Sequence, residues 1–122
     1  MKTHLETKAL FAGYNPADNH GAVKPPMHPA STFVFPSAAV GAAHMETAYG
    51  VEGAETPPEG GFIYSRLGNP TLSVAEARLA AWDESDAAAL FASGMAAIST
   101  MLFALTGAEK PLWYVGPLYG GT

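Results

Sequence analysis

The placement of proline constrains this chain most, because it limits where helices and paired strands can form. Most of the ten prolines lie within residues 1–62, together with several glycines. Each proline removes a backbone hydrogen-bond donor and disfavours helix at the residue before it. Only the alanine-rich stretch 37–49 favours a short helix in this half. Residues 1–62 therefore predict an irregular, extended N-terminal arm.

The arm carries three large aromatic side chains, Phe33, Phe35 and Phe62. An extended segment has no core in which to bury them, and burial of such side chains is a main stabilising term in folding. We therefore expect the arm to lie against another surface.

Regular periodicity begins at Asn69. Pro70 suits the first turn of a helix, and the apolar residues that follow recur at helical spacing. These apolar residues are Leu72, Ala75, Leu79 and Trp82. The spacing predicts a helix over 70–82 that buries this stripe and leaves Glu76 and Arg78 on its outer face.

Two short apolar runs flank a second predicted helix. The apolar runs predict buried strands at residues 87–92 and 112–115. The spacing between them predicts a helix over residues 95–105 that Gly107 closes. Strand, helix and strand in this order form a βαβ unit with parallel strands. The predicted fold class is therefore α/β.

The composition excludes several classes of protein. Hydrophobic residues make up 48% of the chain and charged residues 14%, which excludes a disordered chain. The net charge of −5, without a cluster of Lys and Arg, disfavours binding to nucleic acid. A sequence without cysteine has no disulfide, thiolate zinc site or cysteine nucleophile, and it is compatible with the cytoplasm, where we expect the protein. The four histidines are scattered, so we expect no metal.

Residues 87–108 carry no charge and are long enough to span a hydrocarbon core of ~30 Å. The run is rich in alanine, however, and the residues just before it are acidic rather than basic. We therefore expect a buried strand and helix here, not a membrane segment. The first six residues also lack the apolar run of a secretory signal.

Residues 93–96 form the turn between the first predicted strand and the second predicted helix. Backbone N–H groups at a helix N-terminus point outward, and the helix dipole favours an anion such as phosphate. Gly94 permits close approach of a ligand to the backbone. The alternative is a plain connection that uses Ser93 and Gly94 only for geometry.

Tyr64 and Arg66 form a second candidate site. The guanidinium of Arg66 offers a planar fork that suits phosphate oxygens, and Tyr64 offers a hydroxyl donor. Two residues apart on an extended strand, the two side chains fall on one face. The alternative is a simple turn with a solvated arginine.

Tyr119 follows the second predicted strand and stands beside two glycines. Ligands of open α/β sheets bind beyond the carboxyl ends of the strands, and an aromatic ring there stacks on a flat ligand. The alternative is an ordinary loop tyrosine.

Taken together, these segments resemble the pyridoxal-phosphate-dependent enzymes of cysteine and methionine metabolism. This family includes cystathionine γ-synthases, cystathionine lyases, methionine γ-lyases and O-acylhomoserine sulfhydrylases. The matching segments run in family order over nearly the whole chain: Gly21–Met27 with Ser31–Phe33, Tyr64–Thr71, Glu76 with Leu79 and Ala80, Ser93–Ile98, and Pro117–Thr122.

The resemblance implies a role for each candidate residue. Gly94 and Met95 would bind the phosphate of pyridoxal 5′-phosphate through their backbone N–H groups. Tyr64 and Arg66 would reach the phosphate bound by a neighbouring subunit, so the active sites of a homo-oligomer, in this family a homotetramer, would be shared. Tyr119 would stack on the pyridine ring and assist proton movement at the substrate.

The resemblance also implies an architecture. Residues 1–62 would be an arm that contacts another subunit. Residues 63–122 would begin the large cofactor-binding domain of an aminotransferase-like, fold type I enzyme. The reaction implied is γ- or β-elimination or replacement on homoserine esters, cystathionine or methionine.

The chain departs from the family pattern at several positions. Ala30 and Ala75 stand where Thr and Leu are usual, and residues 50–60 resemble a longer loop before the Tyr64–Arg66 motif than many members have. Gly121 occupies a position where specialised methionine γ-lyases often carry cysteine, which disfavours that activity.

The lysine that holds the cofactor covalently lies further along the chain in the family. None of the four lysines here, Lys2, Lys8, Lys24 and Lys110, matches its position. We therefore expect an inactive N-terminal segment of a longer enzyme, and the alternative is a truncated, non-catalytic fragment that only binds or oligomerises.

Overall fold

The computed structural model describes residues 4–54, 57 and 61–122. These residues form helices joined by irregular segments. The helices are α1 (Leu5–Phe11), α2 (Ala38–Ala48), α3 (Pro70–Trp82) and α4 (Gly94–Leu105), and a 3₁₀ turn spans Pro16–Asn19. The chain divides into two compact units, residues 1–88 and residues 89–122.

α3 forms where the spacing predicts it, because local signals fix both of its ends. The side-chain oxygen of Asn69 accepts a hydrogen bond from the Thr71 N–H at 2.9 Å and so caps the first turn. Pro70 occupies the first helical position, where no N–H is needed. At the other end, the Asp83 N–H donates to the Leu79 carbonyl. The predicted helix over 70–82 is confirmed.

The packed face of α3 differs from the predicted apolar stripe. Ala80 is buried, whereas Leu79 and Trp82 keep about half of their surface in solvent. Arg78, predicted on the outer face, donates from Nη2 to the carbonyl of Leu10 at 3.0 Å. The prediction was wrong because α1, which packs on α3, was not predicted.

The turn after α1 brings the backbone directly onto α3. Gly13 has a φ of 67°, in the left-handed region that favours glycine. A Cβ atom at this position would lie 2.5 Å from the Cβ of Ala77. Both the backbone angle and the close approach therefore require glycine. The turn after α1 thus meets α3 through backbone and small side chains, and Leu10 and Phe11 at the end of α1 each stay 64% exposed.

The N-terminal arm is helical in part, not extended throughout. Residues 37–49 contain the helix that their alanine content predicts, and the Ser37 hydroxyl caps it by accepting from the Val40 N–H at 3.3 Å. α1 and the 3₁₀ turn lie in the same half and were not predicted.

The aromatic side chains of the arm contact one another and α2. The ring centroids of Phe33 and Phe62 lie 5.5 Å apart. Phe35 stacks on the buried His44 of α2 at 5.3 Å. These contacts lie within the arm, yet Phe33, Phe35 and Phe62 are each only partly buried, so the expectation that the arm lies against another surface stays a prediction.

The two predicted strands, residues 87–92 and 112–115, have irregular backbone in the structure. Within the described residues, β-type pairing is limited to isolated bridges, Thr32 with Tyr64 and Gly107 with Lys110. A strand forms only when a neighbouring strand exchanges backbone hydrogen bonds with it, and neither run is paired in this way. The predicted βαβ unit is therefore absent from this structure.

α4 begins one residue earlier than predicted and ends at the predicted Leu105. Thr106, not Gly107, closes it, because both the N–H and the hydroxyl of Thr106 donate to the Leu102 carbonyl, at 2.9 and 2.6 Å. None of the residues of α4 is buried. In the part of the chain that the structure describes, no helix has the length and apolar character needed to cross a membrane.

Candidate cofactor-binding site

The N-terminus of α4 presents two backbone donors. The Ser93 hydroxyl accepts from the Ala96 N–H at 3.1 Å, and the Ser93 carbonyl accepts from the Ala97 N–H at 3.1 Å. The N–H groups of Gly94 and Met95 precede these and have no acceptor within the helix. A Cβ atom added at Gly94 would meet nothing within 4 Å, so there is open space beside Gly94. The geometry suits an anion.

Tyr64 and Arg66 lie together at the surface of the first unit. The guanidinium carbon of Arg66 lies 5.3 Å from the centroid of the Tyr64 ring, within the range of a cation–π contact. Residues 64–68 form a turn, in which the N–H groups of Leu67 and Gly68 donate to the Tyr64 carbonyl at 2.8 and 3.1 Å. The predicted extended geometry was therefore wrong, yet the two side chains share one side of the molecule, as predicted.

A set of hydrogen bonds behind this turn was not predicted. Asn69 donates from Nδ2 to the His28 carbonyl and to the Ser65 hydroxyl, both at 3.0 Å. The Ser65 hydroxyl donates to the Ala30 carbonyl. The Thr71 hydroxyl accepts from the His28 N–H at 2.9 Å. We call these side-chain hydrogen bonds of Ser65, Asn69 and Thr71 the Asn69 tether.

Asparagine directly before Pro70 is the one local signal that could have indicated part of the tether. This pair of residues is typical of a helix N-cap. It does not show that the amide nitrogen of Asn69 reaches residues some 40 positions earlier in the chain.

Tyr119 lies in the second unit and is 83% exposed. The Thr122 N–H donates to the Tyr119 carbonyl at 2.9 Å, which forms a turn. A Cβ atom at Gly121 would lie 2.9 Å from Cε1 of the Tyr119 ring, so glycine allows the ring to lie against the turn. The exposed ring face is free for stacking.

The candidate residues are divided between the two units. Tyr64 and Arg66 belong to residues 1–88, and Gly94, Met95 and Tyr119 belong to residues 89–122. The structure brings Tyr64 to Arg66, and it presents the donors of Gly94 and Met95 side by side.

A separate cleft of about 480 Å³ opens beside α2 and α3 in the first unit. His44, Gly61 and Glu76 are among the residues that line it, and the candidate residues are not. The candidate site is therefore an exposed set of donors and a ring, not this cleft.

Two backbone donors at a helix N-terminus, an exposed arginine with a tyrosine, and an exposed aromatic ring are the groups that a flat, phosphorylated cofactor needs. Comparison with known proteins identifies the class. The family described as Cys/Met metabolism PLP-dependent enzymes matches residues 6–122 of this chain. The chain belongs to this family, and the resemblance inferred from its motifs is confirmed.

Curated relatives of this chain include proteins named L-methionine gamma-lyase and cystathionine gamma-synthase. L-methionine gamma-lyase of Pseudomonas putida is 38% identical over 116 residues, which cover 95% of this chain and 27% of that protein. The enzyme of the same name from Pseudomonas deceptionensis is 36% identical over 118 residues, which cover 97% of this chain and 27% of that protein. Cystathionine gamma-synthase of Mycobacterium bovis is 38% identical over 116 residues, which cover 95% of this chain and 26% of that protein. The chain spans about a quarter of the length of these relatives.

The cofactor of the family is pyridoxal 5′-phosphate, which confirms the cofactor predicted. The residues described here fit it. The unpaired N–H groups of Gly94 and Met95, with open space beside Gly94, suit its phosphate. The exposed ring of Tyr119 suits its pyridine ring.

Proposed function

We propose that this chain is the N-terminal segment of a pyridoxal-phosphate-dependent enzyme that catalyses γ- or β-elimination or replacement on homoserine esters, cystathionine or methionine. In this proposal, residues 1–62 form a subunit-contacting arm, and residues 63–122 begin the large domain of a fold type I enzyme. The observation that carries the proposal is the pair of unpaired N–H groups at Gly94 and Met95, with open space beside Gly94.

Gly94 and Met95 would hold the cofactor phosphate. Their N–H groups share the positive end of the α4 dipole, so they favour a dianion without any side-chain cation. The hydroxyl of Ser93 already accepts from the Ala96 N–H, which fixes the direction of the first turn. The bound cofactor supplies an electron sink for the substrate carbanion, and this chain supplies binding and orientation.

Tyr64 and Arg66 would bind the phosphate of a neighbouring subunit in a homo-oligomer, which the family resemblance implies is a homotetramer. The support in this structure is their exposure together at the surface of the first unit. Arginine suits this role because its guanidinium donates two parallel hydrogen bonds to phosphate oxygens. A shared site would also explain why these two residues belong to a different unit from Gly94 and Met95.

Tyr119 would stack on the cofactor ring and move a proton at the substrate through its hydroxyl. Its exposed ring leaves one face for the cofactor. The first choice of reaction is γ-elimination or γ-replacement of a homoserine derivative, with β-elimination of cystathionine next. Gly121, which packs under the Tyr119 ring, is the residue that disfavours a specialised methionine γ-lyase.

Covalent attachment of the cofactor would use a lysine outside these residues, since none of Lys2, Lys8, Lys24 and Lys110 matches the family position. We therefore expect residues 1–122 alone to release no α-keto acid from cystathionine or methionine. A cytoplasmic location stays a prediction. Reading the coding sequence past Thr122 for a lysine preceded by Ser or Thr separates an enzyme from a non-catalytic fragment.

The test of the phosphate role is Arg66→Ala in the complete enzyme that carries this segment. Charge-assisted hydrogen bonds contribute about 1.5–3 kcal/mol each, and 1.4 kcal/mol corresponds to about tenfold in affinity. We expect the Kd for pyridoxal 5′-phosphate, measured by titration of the apoenzyme, to rise about tenfold or more, and Arg66→Lys to recover part of the loss.

The matched control is Arg78→Ala, which removes the other arginine of the segment. Its guanidinium donates to the Leu10 carbonyl between α1 and α3. This variant should lower the melting temperature and leave cofactor affinity within about twofold. An Arg66→Ala enzyme that binds the cofactor as tightly as the parent would refute the proposed role of the pair.

A further inference from the structure

Asn69 uses both ends of its side-chain amide. It is 7% exposed. Its Oδ1 accepts from the Thr71 N–H at 2.9 Å, which caps α3. Its Nδ2 donates to the His28 carbonyl and the Ser65 hydroxyl at 3.0 Å, with the Ala30 carbonyl at 3.4 Å. The cap needs only the oxygen, so the nitrogen serves a second purpose.

The second purpose centres on Ser65, which stands between Tyr64 and Arg66. The Ser65 N–H donates to the Ser31 carbonyl at 2.9 Å, and its hydroxyl donates to the Ala30 carbonyl. The same hydroxyl accepts from Asn69 Nδ2. Ser65 is thus held through its backbone and its side chain against residues more than 30 positions earlier.

The exposure of Arg66, and of about a third of Tyr64 (37%), gives this anchoring a purpose. Side chains in solvent are not oriented by packing, so their direction depends on the backbone from which they project. Preorganised groups bind more tightly because less conformational freedom is lost on binding. The Asn69 tether fixes the backbone at Ser65 and leaves only side-chain torsions free on either side.

We infer that Asn69 is a positioning residue for cofactor binding: through Ser65 it orients Tyr64 and Arg66 toward the phosphate that they bind. The inference rests on the proposed function of that pair. It assigns Asn69 a role beyond its cap of α3, and it places Ser65 and Thr71 in the same tether.

The chain contains a matched control for the cap. Asn15 also precedes a proline, and its Oδ1 accepts from the Ala17 N–H at 3.1 Å to cap the 3₁₀ turn. Its Nδ2 donates to Asp18, three residues away, at 3.0 Å. Asn15 and Asn69 thus share the cap and differ in whether the amide nitrogen reaches a distant segment.

The experiment compares Asn69→Ser with Asn15→Ser in the complete enzyme. Serine caps helices about as well as asparagine, and it has no amide nitrogen to reach His28. Each apoenzyme is titrated with pyridoxal 5′-phosphate and with pyridoxal, which lacks the phosphate. We expect Asn69→Ser to raise the Kd for the phosphorylated form about tenfold and to leave the Kd for pyridoxal within about twofold. Asn15→Ser should change neither.

Arg66→Ala distinguishes failure of the inference from failure of the proposed function. In an Arg66→Ala background, Asn69→Ser should raise the Kd for pyridoxal 5′-phosphate clearly less than it does in the parent enzyme, because the arginine that Asn69 positions is gone. Additive losses, or an equal loss for both ligands, would show a purely structural role and overturn the inference. If Arg66→Ala itself leaves the affinity for pyridoxal 5′-phosphate unchanged, the proposed phosphate-binding role of Tyr64 and Arg66 fails, and the inference fails with it.

A second pair of variants covers the case in which Asn69→Ser does not assemble. Thr71→Val keeps the shape of the side chain and removes the acceptor of the His28 N–H, whereas Thr71→Ser keeps that acceptor. Thr71→Val should raise the Kd for pyridoxal 5′-phosphate severalfold, and Thr71→Ser should restore it. Equal affinities for the two variants would overturn the inference.

Discussion

At the scale of single residues, Tyr119 combines two groups with separable roles. Its ring supplies a stacking surface, and its hydroxyl supplies a proton donor and acceptor. The ring lies beside Gly121 and is otherwise in solvent. A change that removes only the hydroxyl therefore tests the proton role without disturbing the stacking.

Tyr119→Phe in the complete enzyme should lower kcat about 100-fold, because general acid–base groups contribute on that order. The Kd for the cofactor should stay within about twofold, since the ring remains. Steady-state kinetics and apoenzyme titration measure the two quantities. The control is Tyr114→Phe, a second exposed tyrosine of the same unit. Equal kcat for Tyr119→Phe and the parent enzyme would contradict the proton role.

At the scale of elements, α2 and α4 both begin with a serine N-cap, but they have different proposed roles. Ser37 caps α2 by accepting from the Val40 N–H, and Ser93 caps α4 by accepting from the Ala96 N–H. In the proposed function, α4 and not α2 would present its first N–H groups to the cofactor. The two serines therefore allow the stability of a helix end to be separated from its function.

Ser37→Ala and Ser93→Ala should each cost about 1 kcal/mol of stability, the usual value for loss of an N-cap. Only Ser93→Ala should also raise the Kd for pyridoxal 5′-phosphate, by severalfold, because the N–H groups of Gly94 and Met95 lose their fixed direction. Thermal unfolding and apoenzyme titration in the complete enzyme measure both effects. A parallel rise in Kd for Ser37→Ala would show that the effect follows stability alone.

Local signals explain which elements the sequence predicts correctly. Pro70 and the Ser93–Gly94 turn mark where α3 and α4 begin, and each acts within a few residues. The strands at 87–92 and 112–115 depend on hydrogen bonds to other segments, and apolar runs alone do not provide those partners. Arg78 was placed on the wrong face because its acceptor, the Leu10 carbonyl, lies 68 positions away.

The candidate site shows the same difference between local signals and contacts between distant segments. Gly94 and Met95 were predicted from a helix start, and Tyr64 with Arg66 from their chemistry and spacing. The Asn69 tether was missed, because its bonds to Ala30 and His28 span 35 to 43 residues.

At the scale of the whole molecule, large apolar side chains remain uncovered in the second unit. Phe103 is 85% exposed, and Trp113 and Val115 are each 90% exposed. A helix that is apolar on every side is normally buried, and α4 has no buried residue. Residues 89–122 therefore have the apolar surface that is typical of a buried segment.

We expect the purified chain 1–122 to unfold over a broad temperature range and to associate as its concentration rises, because these side chains avoid water by contacting other copies. Differential scanning calorimetry and analytical ultracentrifugation measure the two behaviours, with the complete enzyme as the reference. A sharp, reversible transition of a monomer would contradict this expectation.

The hydrogen bonds around Tyr64 and Arg66 join residues 28–33 to residues 63–71. A ribosome releases a protein from its N-terminus, and early segments fold while later ones are still being made. Every partner in the Asn69 tether is thus synthesised before Gly94. In the proposed oligomer, Tyr64 and Arg66 serve a neighbouring subunit's site, whereas Gly94 and Met95 serve the chain's own site. Each new chain would therefore complete its contribution to the neighbour before it synthesises its own phosphate donors.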